Sequence, residues 1–251
     1  MTRQCIMACK YCRPVGVTAG LKYGKLLSFD EIHEIAGTAA RLGIDKIRLT
    51  GGEPLLREGI ADLISMLADI DEIKDISMTT NGQLLESMAP ALAAAGLHRL
   101  NISLDTVDPI EFRKISEKGS LAPVLAGIDS AIEAGLEPIK LNCVVEKSSS
   151  EPRAVAVRDY ARSKGLEVRF IRTMNLLTGD FWPVEGGNGG ICSKCNRIRL
   201  TSDGLVLPCL FSDQAYSVKE LGIEPALKRA IQEKPARGKM STANQFMAVG
   251  G

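Results

Sequence analysis

Hydrophobic and polar positions follow two alternating periods along most of the chain. Short runs rich in β-branched residues alternate with segments whose apolar residues recur every three or four positions. The first helix is predicted to begin at Ser28, where Ser-Phe-Asp-Glu is a capping-box sequence, and to end at Gly43. Strands are predicted over 45–50, 73–80, 99–105, 138–145 and 166–172, and the later helices over 58–70, 83–95, 108–116, 121–134 and 151–163.

This order predicts an α/β fold. Repeated strand-then-helix units of this length form a parallel sheet with right-handed crossovers. Several strands end in polar residues, which would meet at a common rim of the sheet. We therefore expect a partial (β/α) barrel with its active site at the carboxyl ends of the strands.

The pattern changes near Met174. A glycine-containing loop with the single tryptophan, Trp182, follows, then cysteine-rich basic sequence and one predicted helix over 218–233. No periodicity is visible after Pro235. We therefore predict a barrel domain over 1–174 and a small C-terminal domain over 175–251.

Composition narrows the class of protein. The 251 residues are 45% hydrophobic and 24% charged, as in ordinary globular proteins. A net charge of +1 predicts no long-range attraction to nucleic acid or to membranes. Neither a membrane-spanning run nor a signal-peptide pattern is visible. The seven cysteines then favour metal binding in a reducing compartment, and we expect a cytoplasmic protein.

Three cysteines lie within eight residues, as Cys5, Cys9 and Cys12 in a C-x₃-C-x₂-C spacing. Iron–sulfur cubanes are normally held by four cysteines, so three would leave one iron open. A structural zinc would need a fourth ligand, and His33 and His98 are distant in sequence and predicted to be structural. The spacing resembles the cluster loop of radical S-adenosylmethionine (SAM) enzymes, whose open iron chelates SAM. A zinc or adventitious metal site is the alternative.

A second group of three cysteines has the spacing C-x₂-C-x₁₃-C, at Cys192, Cys195 and Cys209. It favours a second cubane with an open iron, and a zinc ribbon that borrows another ligand is the alternative. Arg197 and Arg199 lie between these cysteines and point the same way if the segment is extended. Guanidinium groups there would suit a phosphate or carboxylate, unless they form a solvated basic edge.

Cations also alternate with apolar residues on two predicted strands. Lys46 and Arg48 share one face of their strand, and Lys140 shares a face with Asn142. Cations that face a barrel interior need an anionic partner, which a nucleoside triphosphate would supply. Outward-facing cations would be ordinary solvated charges, but the apolar residues between them must pack under helices. Cys143 falls on that apolar side and is predicted to be a core residue.

In four features the sequence resembles the molybdenum cofactor biosynthesis protein A family, the GTP 3′,8-cyclases of molybdopterin synthesis. They are the first cysteine loop, the Thr50-Gly51-Gly52-Glu53-Pro54 turn, the second cysteine group with its arginines, and the final Gly250-Gly251. The superfamily part of the resemblance covers roughly the first two thirds of the chain. Compared with that family, the sequence is shortened at the N-terminus and between the two domains.

The resemblance implies two [4Fe–4S] clusters and SAM as cofactors. It implies that a 5′-deoxyadenosyl radical takes the 3′ hydrogen of GTP, and that C3′ then adds to C8 to give (8S)-3′,8-cyclo-7,8-dihydroguanosine 5′-triphosphate. By position in the family, the expected SAM contacts are Tyr11, Gly51, Gly52, Glu53, Thr80 and Ser103. The expected GTP contacts are Lys46, Arg48, Lys140, Arg169, Met174, Arg197 and Arg199. Arg197, Arg199, Gly250 and Gly251 are expected closest to the reaction.

Simpler interpretations of these residues remain open. Polar residues at strand ends can merely cap a sheet, and a Gly-Gly end can be a disordered terminus. The resemblance implies GTP, an electron donor and a downstream cyclic pyranopterin monophosphate synthase as partners, and a homodimer as a possible assembly. The other functions considered are a radical SAM enzyme that acts on a peptide or another small molecule, and a non-catalytic iron–sulfur remnant.

Overall fold

The computed structural model describes residues 1–12 and 25–246 of the chain. Its main sheet is parallel, with strands in sequence order, and helices connect them. The strands are β1 (Lys46–Leu49), β2 (Asp75–Thr80), β3 (Arg99–Ser103), β4 (Ile139–Val145) and β5 (Glu167–Arg172). The helices are α1 (Phe29–Arg41), α2 (Ile60–Ala68), α3 (Leu85–Ala94), α4 (Pro109–Ser116), α5 (Leu121–Glu133) and α6 (Pro152–Ser163). The α/β fold predicted from the sequence is confirmed.

The first helix shows how local sequence determines these elements. The Ser28 hydroxyl accepts the Glu31 backbone N–H at 3.1 Å, and the Glu31 carboxylate accepts the Ser28 N–H at 2.6 Å. This reciprocal pair is the predicted capping box, which satisfies two donors that a helix start leaves unpaired. Gly43, with φ of 91°, turns the chain away from the helix end.

The two faces of the parallel sheet differ in chemistry along most of their length, because side chains alternate along each strand. One face packs under the helices in the main hydrophobic core and includes Leu49, Ile76, Met78, Leu100, Ile102, Leu141 and Cys143, all nearly inaccessible. The register puts polar residues on the opposite face: Lys46, Arg48, Asp75, Ser77, Thr79, Arg99, Asn101, Ser103, Lys140, Asn142, Glu167 and Arg169. The prediction that Cys143 is a core residue is confirmed.

The C-terminal part contains a small antiparallel sheet. Its strands are β6 (Arg199–Leu200), β7 (Leu205–Leu207) and β8 (Tyr216–Ser217), followed by α7 (Val218–Leu221) and α8 (Ile223–Gln232). The single helix predicted over 218–233 is wrong, because Gly222 interrupts it with φ of 86° and ψ of 159°. A second, smaller core of Leu176, Leu207, Leu210 and Phe211 lies in this part.

The segment between the sheets folds back along the edge of β5. Phe170 and Glu185 exchange both backbone hydrogen bonds, at 3.0 and 3.1 Å, in an isolated antiparallel bridge. The Arg172 guanidinium lies 3.9 Å above the Trp182 ring, which fastens the returning segment to the end of β5. The parallel sheet is therefore covered on its β5 side by the segment that leads to the second cysteine group. No helix in the described ranges is both long and apolar enough to cross a bilayer.

Candidate functional site

The loop of the first three cysteines is held by the end of α4. The Ala8 N–H donates to the Ser116 carbonyl at 3.0 Å, and the Lys10 N–H donates to the Ile115 carbonyl at 3.3 Å. The last carbonyls of a helix have no partner within it, so the loop supplies donors that this helix end requires. Met7 is 7% exposed and packs in the main core. The loop is thus fixed by backbone and core contacts of its own.

The Gly-Gly turn after β1 holds the chain segment that leads into Cys5. The Gly52 N–H donates to the Thr2 carbonyl and the Glu53 N–H donates to the Gln4 carbonyl, both at 2.7 Å. A Cβ atom on Gly51 would lie 2.5 Å from the Thr2 oxygen, and one on Gly52 would lie 2.1 Å from the Gln4 oxygen. Two glycines are therefore required here by the close approach of backbone to backbone.

Glu53 joins the Gly-Gly turn to the end of β2 by hydrogen bonds. Its buried carboxylate accepts the Leu55 N–H at 3.0 Å, the Thr80 hydroxyl at 2.8 Å and the Asn81 N–H at 2.7 Å. Burial raises the pKa of Glu53, and these hydrogen bonds oppose the rise. Thr80 was expected to contact SAM, but its side chain is 2% exposed and lies on the helix side of the sheet. Its neighbour Thr79 lies on the polar face.

Tyr11 is bound to a buried carboxylate. Its hydroxyl donates to Asp105 Oδ2 at 2.8 Å, and the Val144 N–H donates to Asp105 Oδ1 at 2.7 Å. Burial is the main reason that the pKa of Tyr11 lies well above its usual value. Burial also raises the pKa of Asp105, against the effect of its two hydrogen bonds.

Cys5, Cys9 and Cys12 form no disulfide bonds, and they lie close enough to influence one another electrostatically. Burial, followed by the charges of Asp105, Cys12 and Cys5, raises the pKa of Cys9 to about 12. Thiols in such a setting become thiolates when a metal binds, because the metal charge replaces the proton. The Asn81 amide donates to Cys5 Sγ at 3.5 Å. The three side chains fit the ligand set of a cluster with one open iron.

The second three cysteines form a comparable group. All are free and half-buried, and the Cys195 N–H donates to the Cys192 carbonyl at 3.1 Å. Burial opposes ionisation of Cys195, but hydrogen bonds from the Arg197 backbone and guanidinium outweigh it and lower the pKa of this thiol. Arg199 lies within electrostatic range of Cys195 and Cys209. Thiolate ligands and guanidinium groups therefore occur together at this point.

In the ranges that the structure describes, no three His, Cys, Asp or Glu side chains converge on the position of a single ion. A cubane attaches its cysteines to different iron atoms, so its ligands need not meet at one point.

Arginines from the parallel sheet and from the segment between the second cysteines meet in front of the polar face. Arg48 keeps solvent-exposed surface, but desolvation by the surrounding protein, and then repulsion from Arg169, Arg197, Arg99 and Arg199, lower its pKa to about 10. Burial and Arg197 likewise lower the pKa of Arg199 to about 10. The pKa of Arg169 is lowered by burial and by its arginine neighbours, although Glu167 opposes this. Four of the predicted GTP contacts are thus brought together.

Two other cations on this face carry their own counter-ions. Arg99 is paired with Asp75, and Lys140 with Glu167, each across neighbouring strands. No carboxylate ion pair is found for the four converging arginines within the described residues. Clustered guanidinium groups without a carboxylate ion pair of their own favour a polyanion. We name Arg48, Arg169, Arg197 and Arg199 the arginine cluster.

A polar row crosses the sheet beside this cluster. Ser103, Asn142 and Arg169 are register partners on β3, β4 and β5. Among the described residues, Asn142 Oδ1 and Arg169 Nε are buried and have no hydrogen-bond partner, while Arg169 Nη1 donates to Asn101 Oδ1 at 3.0 Å. Buried polar atoms without partners are costly and mark a place where a ligand can bind. Asn142 was not predicted as a contact, although its alternation with Lys140 already put it on this face.

The remaining predicted site residues lie further away or outside the description. Lys46 is exposed on the Arg48 face, earlier on β1, and Met174 packs against the smaller core. Gly250 and Gly251 lie outside the described residues.

Comparison with known proteins agrees with this geometry. The sequence profile of the radical SAM superfamily matches residues 1–152. A GTP 3′,8-cyclase of Alkaliphilus oremlandii is 34% identical over 290 residues, covering 96% of this chain and 91% of the relative. A GTP 3′,8-cyclase of Thermodesulfovibrio yellowstonii is 36% identical over 276 residues, covering 92% of this chain and 86% of the relative. Because 290 aligned positions exceed the 251 residues here, the first relative contains internal residues that this chain lacks.

Solved structures support the fold. Native anSMEcpe with bound AdoMet superimposes with a TM-score of 0.66 at 17% identity, covering 94% of this chain and 79% of that one. Streptococcus suis SuiB bound to S-adenosylmethionine gives 0.62 at 17% identity, covering 90% and 61%. Radical SAM proteins use SAM and a [4Fe–4S] cluster, for which the first three cysteines fit. The chain is a radical SAM enzyme and belongs to the GTP 3′,8-cyclase family.

Proposed function

We propose that this protein is a GTP 3′,8-cyclase of molybdenum cofactor biosynthesis, which joins C3′ of the ribose to C8 of guanine. Family membership supports the reaction, and the arginine cluster supports the substrate. Its guanidinium groups come from β1, β5 and the segment between the second cysteines, and they repel one another. A triphosphate would relieve that repulsion and accept bidentate hydrogen bonds.

The barrel domain would hold the radical-forming cofactors. Cys5, Cys9 and Cys12 would bind a [4Fe–4S] cluster, which with SAM supplies a 5′-deoxyadenosyl radical. Ser103 and Asn142 would offer hydrogen bonds to SAM from the polar row, and Asn142 has a buried oxygen available for one. Thr80 and Glu53 would act indirectly, because their hydrogen bonds support the rim beside Cys5.

The C-terminal domain would hold a second [4Fe–4S] cluster on Cys192, Cys195 and Cys209. The lowered pKa of Cys195 supports this proposal, because metal ligation requires the thiolate. Arg197 and Arg199 lie between these cysteines and would bind the triphosphate close to them. The end of the chain, Gly250-Gly251, would enter the site from this domain. An electron donor and a downstream synthase, both in the cytoplasm, would complete the pathway step.

The arginine cluster can be tested separately from radical formation. Arg48→Gln removes one guanidinium that contacts no cysteine, whereas Arg162→Gln removes an exposed guanidinium on α6 as the matched control. With anaerobically reconstituted protein, SAM, dithionite and GTP, we expect Arg48→Gln to reduce the cyclised product. The loss of one charge-assisted contact predicts a fall in kcat/KM of about ten- to a hundredfold. Deoxyadenosine formed without GTP should remain near the wild-type level.

Several results would contradict these assignments. Deoxyadenosine without any GTP-derived product from the wild-type protein would show that another molecule is the substrate. Equal losses of product and of uncoupled deoxyadenosine in Arg48→Gln would refute its role in substrate binding. Two cubanes require about eight iron atoms per chain, so about four after full reconstitution would refute the second cluster.

A further inference from the structure

The buried carboxylate of Asp105 has a geometry that the proposed function does not account for. Asp105 lies two residues beyond the end of β3 and is 6% exposed. One of its oxygens accepts the Val144 N–H of β4, and the other accepts the Tyr11 hydroxyl. Both partners are donors, so the carboxylate serves only as an acceptor, as an ionised carboxylate does. Taking such a group out of water is costly unless its hydrogen bonds are retained.

The position of Tyr11 gives this hydrogen bond its importance. Tyr11 lies between two cysteines, and the Cys12 N–H donates to the Cys9 carbonyl at 3.0 Å, so the three residues form one turn. The Asp105–Tyr11 bond joins this turn to β3, 94 residues later in the chain. The same carboxylate also accepts a hydrogen bond from the Val144 N–H of β4.

The other supports of the loop lie at different points. The end of α4 binds the backbone of Ala8 and Lys10, and Asn81 contacts Cys5. Tyr11 is therefore the side chain by which the sheet holds the turn between the second and third cysteines.

We propose that Asp105 is a positioning residue for the first iron–sulfur site, which holds Tyr11 and so keeps the Cys9–Cys12 turn in its cluster-binding form. The proposal rests on the radical SAM chemistry of the chain and is independent of GTP as the substrate.

Three variants separate the hydrogen bond from the charge. Tyr11→Phe removes the donor and keeps the carboxylate, and Asp105→Ala removes both the acceptor and the charge. Asp105→Asn removes the charge alone, because its oxygen can accept the Val144 N–H and its amide can donate to the Tyr11 oxygen. Tyr160→Phe is the matched control, since the Tyr160 hydroxyl has no hydrogen-bond partner in the part of the chain that the structure describes.

The first measurement is amide hydrogen exchange of the peptide that covers residues 5–12, in protein without metal. We expect Tyr11→Phe and Asp105→Ala to speed exchange about tenfold, which corresponds to the roughly 1.4 kcal/mol of one such bond. The double variant should exchange no faster than either single variant, because both remove the same contact. Asp105→Asn and Tyr160→Phe should stay near the wild-type rate.

The second measurement is iron retention by reconstituted protein during a chelator challenge. Tyr11→Phe should lose iron from one cluster faster than wild type, and Asp105→Asn should behave as wild type. Wild-type exchange and iron retention in Tyr11→Phe would overturn the proposal, even if Asp105→Ala fails to fold. It would also be overturned if Asp105→Asn were as impaired as Tyr11→Phe, because charge would then be the cause. Neither measurement uses GTP, so a failure here leaves the proposed substrate unaffected.

Discussion

Replacement of Gly52 by alanine should release the chain segment that precedes the first cluster loop. A Cβ at this position would lie 2.1 Å from the Gln4 carbonyl oxygen, 2.7 Å from its carbon and 2.9 Å from the Arg3 carbonyl carbon. All three atoms are backbone, so no rotamer change can relieve the overlap. The segment has to recede by roughly 1 Å before carbon and oxygen return to an ordinary van der Waals distance.

The size of the effect follows from the contacts that such a movement breaks. The hydrogen bonds from Gly52 to Thr2 and from Glu53 to Gln4, both 2.7 Å long, would be lost. At about 1 kcal/mol each, they predict a fall of about 2 kcal/mol in the free energy of unfolding. Ordinary overpacking costs about 1–3 kcal/mol because side chains can shift, but a 2.1 Å contact with a backbone oxygen leaves no such relief, so the segment has to detach. Cys5 would then move away from the other two cysteines.

Urea unfolding and iron content after anaerobic reconstitution measure the two consequences. We expect Gly52→Ala to lose the iron of one cluster while remaining folded. Gly37→Ala lies in α1 with only the Arg41 side-chain end near it, at 3.7 Å, and should be neutral or slightly stabilising. Gly135→Ala, with φ of 74° and open space around it, should show the backbone cost alone, about 1 kcal/mol, with full iron. The reasoning would be refuted if Gly52→Ala bound its full iron and were as stable as Gly135→Ala.

Two further predictions concern charged groups. Glu167→Gln frees Lys140 from its ion pair, and titration calorimetry at low salt should show GTP binding several-fold tighter; weaker binding would contradict a role for Lys140 in phosphate contact. The Asp213 carboxylate accepts two hydroxyls and two backbone N–H groups from residues 241–243, and the Ser241 hydroxyl leads these bonds in lowering its pKa to about 2. Its stabilisation is therefore complete above the ordinary carboxyl pKa of 3.8 and is lost as pH falls toward 2. At pH 7, Asp213→Ala should speed proteolysis of the C-terminal segment, and an unchanged cleavage rate would show that Asp213 does not hold it.

The sequence was most informative where a repeating pattern met a simple physical requirement. The alternation of Lys46 and Arg48 with apolar residues predicted which face of β1 packs under helices, and the register agrees. The capping box at Ser28 needed only local geometry, and it formed as predicted. The convergence of the arginines could be anticipated only through the family resemblance, since it brings together residues of β1, β5 and the segment between the second cysteines.

The features that the sequence did not predict depend on a shift of one residue position or on a contact between distant residues. Thr79 and Thr80 are adjacent at the end of β2, so the choice of face reverses with a single-residue change in register. Periodicity alone did not reveal the break at Gly222, because a left-handed residue can interrupt an otherwise helical pattern. The role of Asp105 required a contact between residues 94 positions apart, which no local pattern encodes.

If the arginine cluster binds GTP as proposed, the stability of the folded chain depends on the concentration of the nucleotide. Repulsion among these guanidinium groups weakens the folded state as long as no anion lies between them. A polyanion that binds the folded chain alone adds stability by mass action, about 2.7 kcal/mol at a concentration of 100 Kd. A high nucleotide concentration would thus stabilise the folded chain. When that concentration falls, the stabilisation would decrease while the site is still largely occupied, and more of the chain would unfold and be degraded.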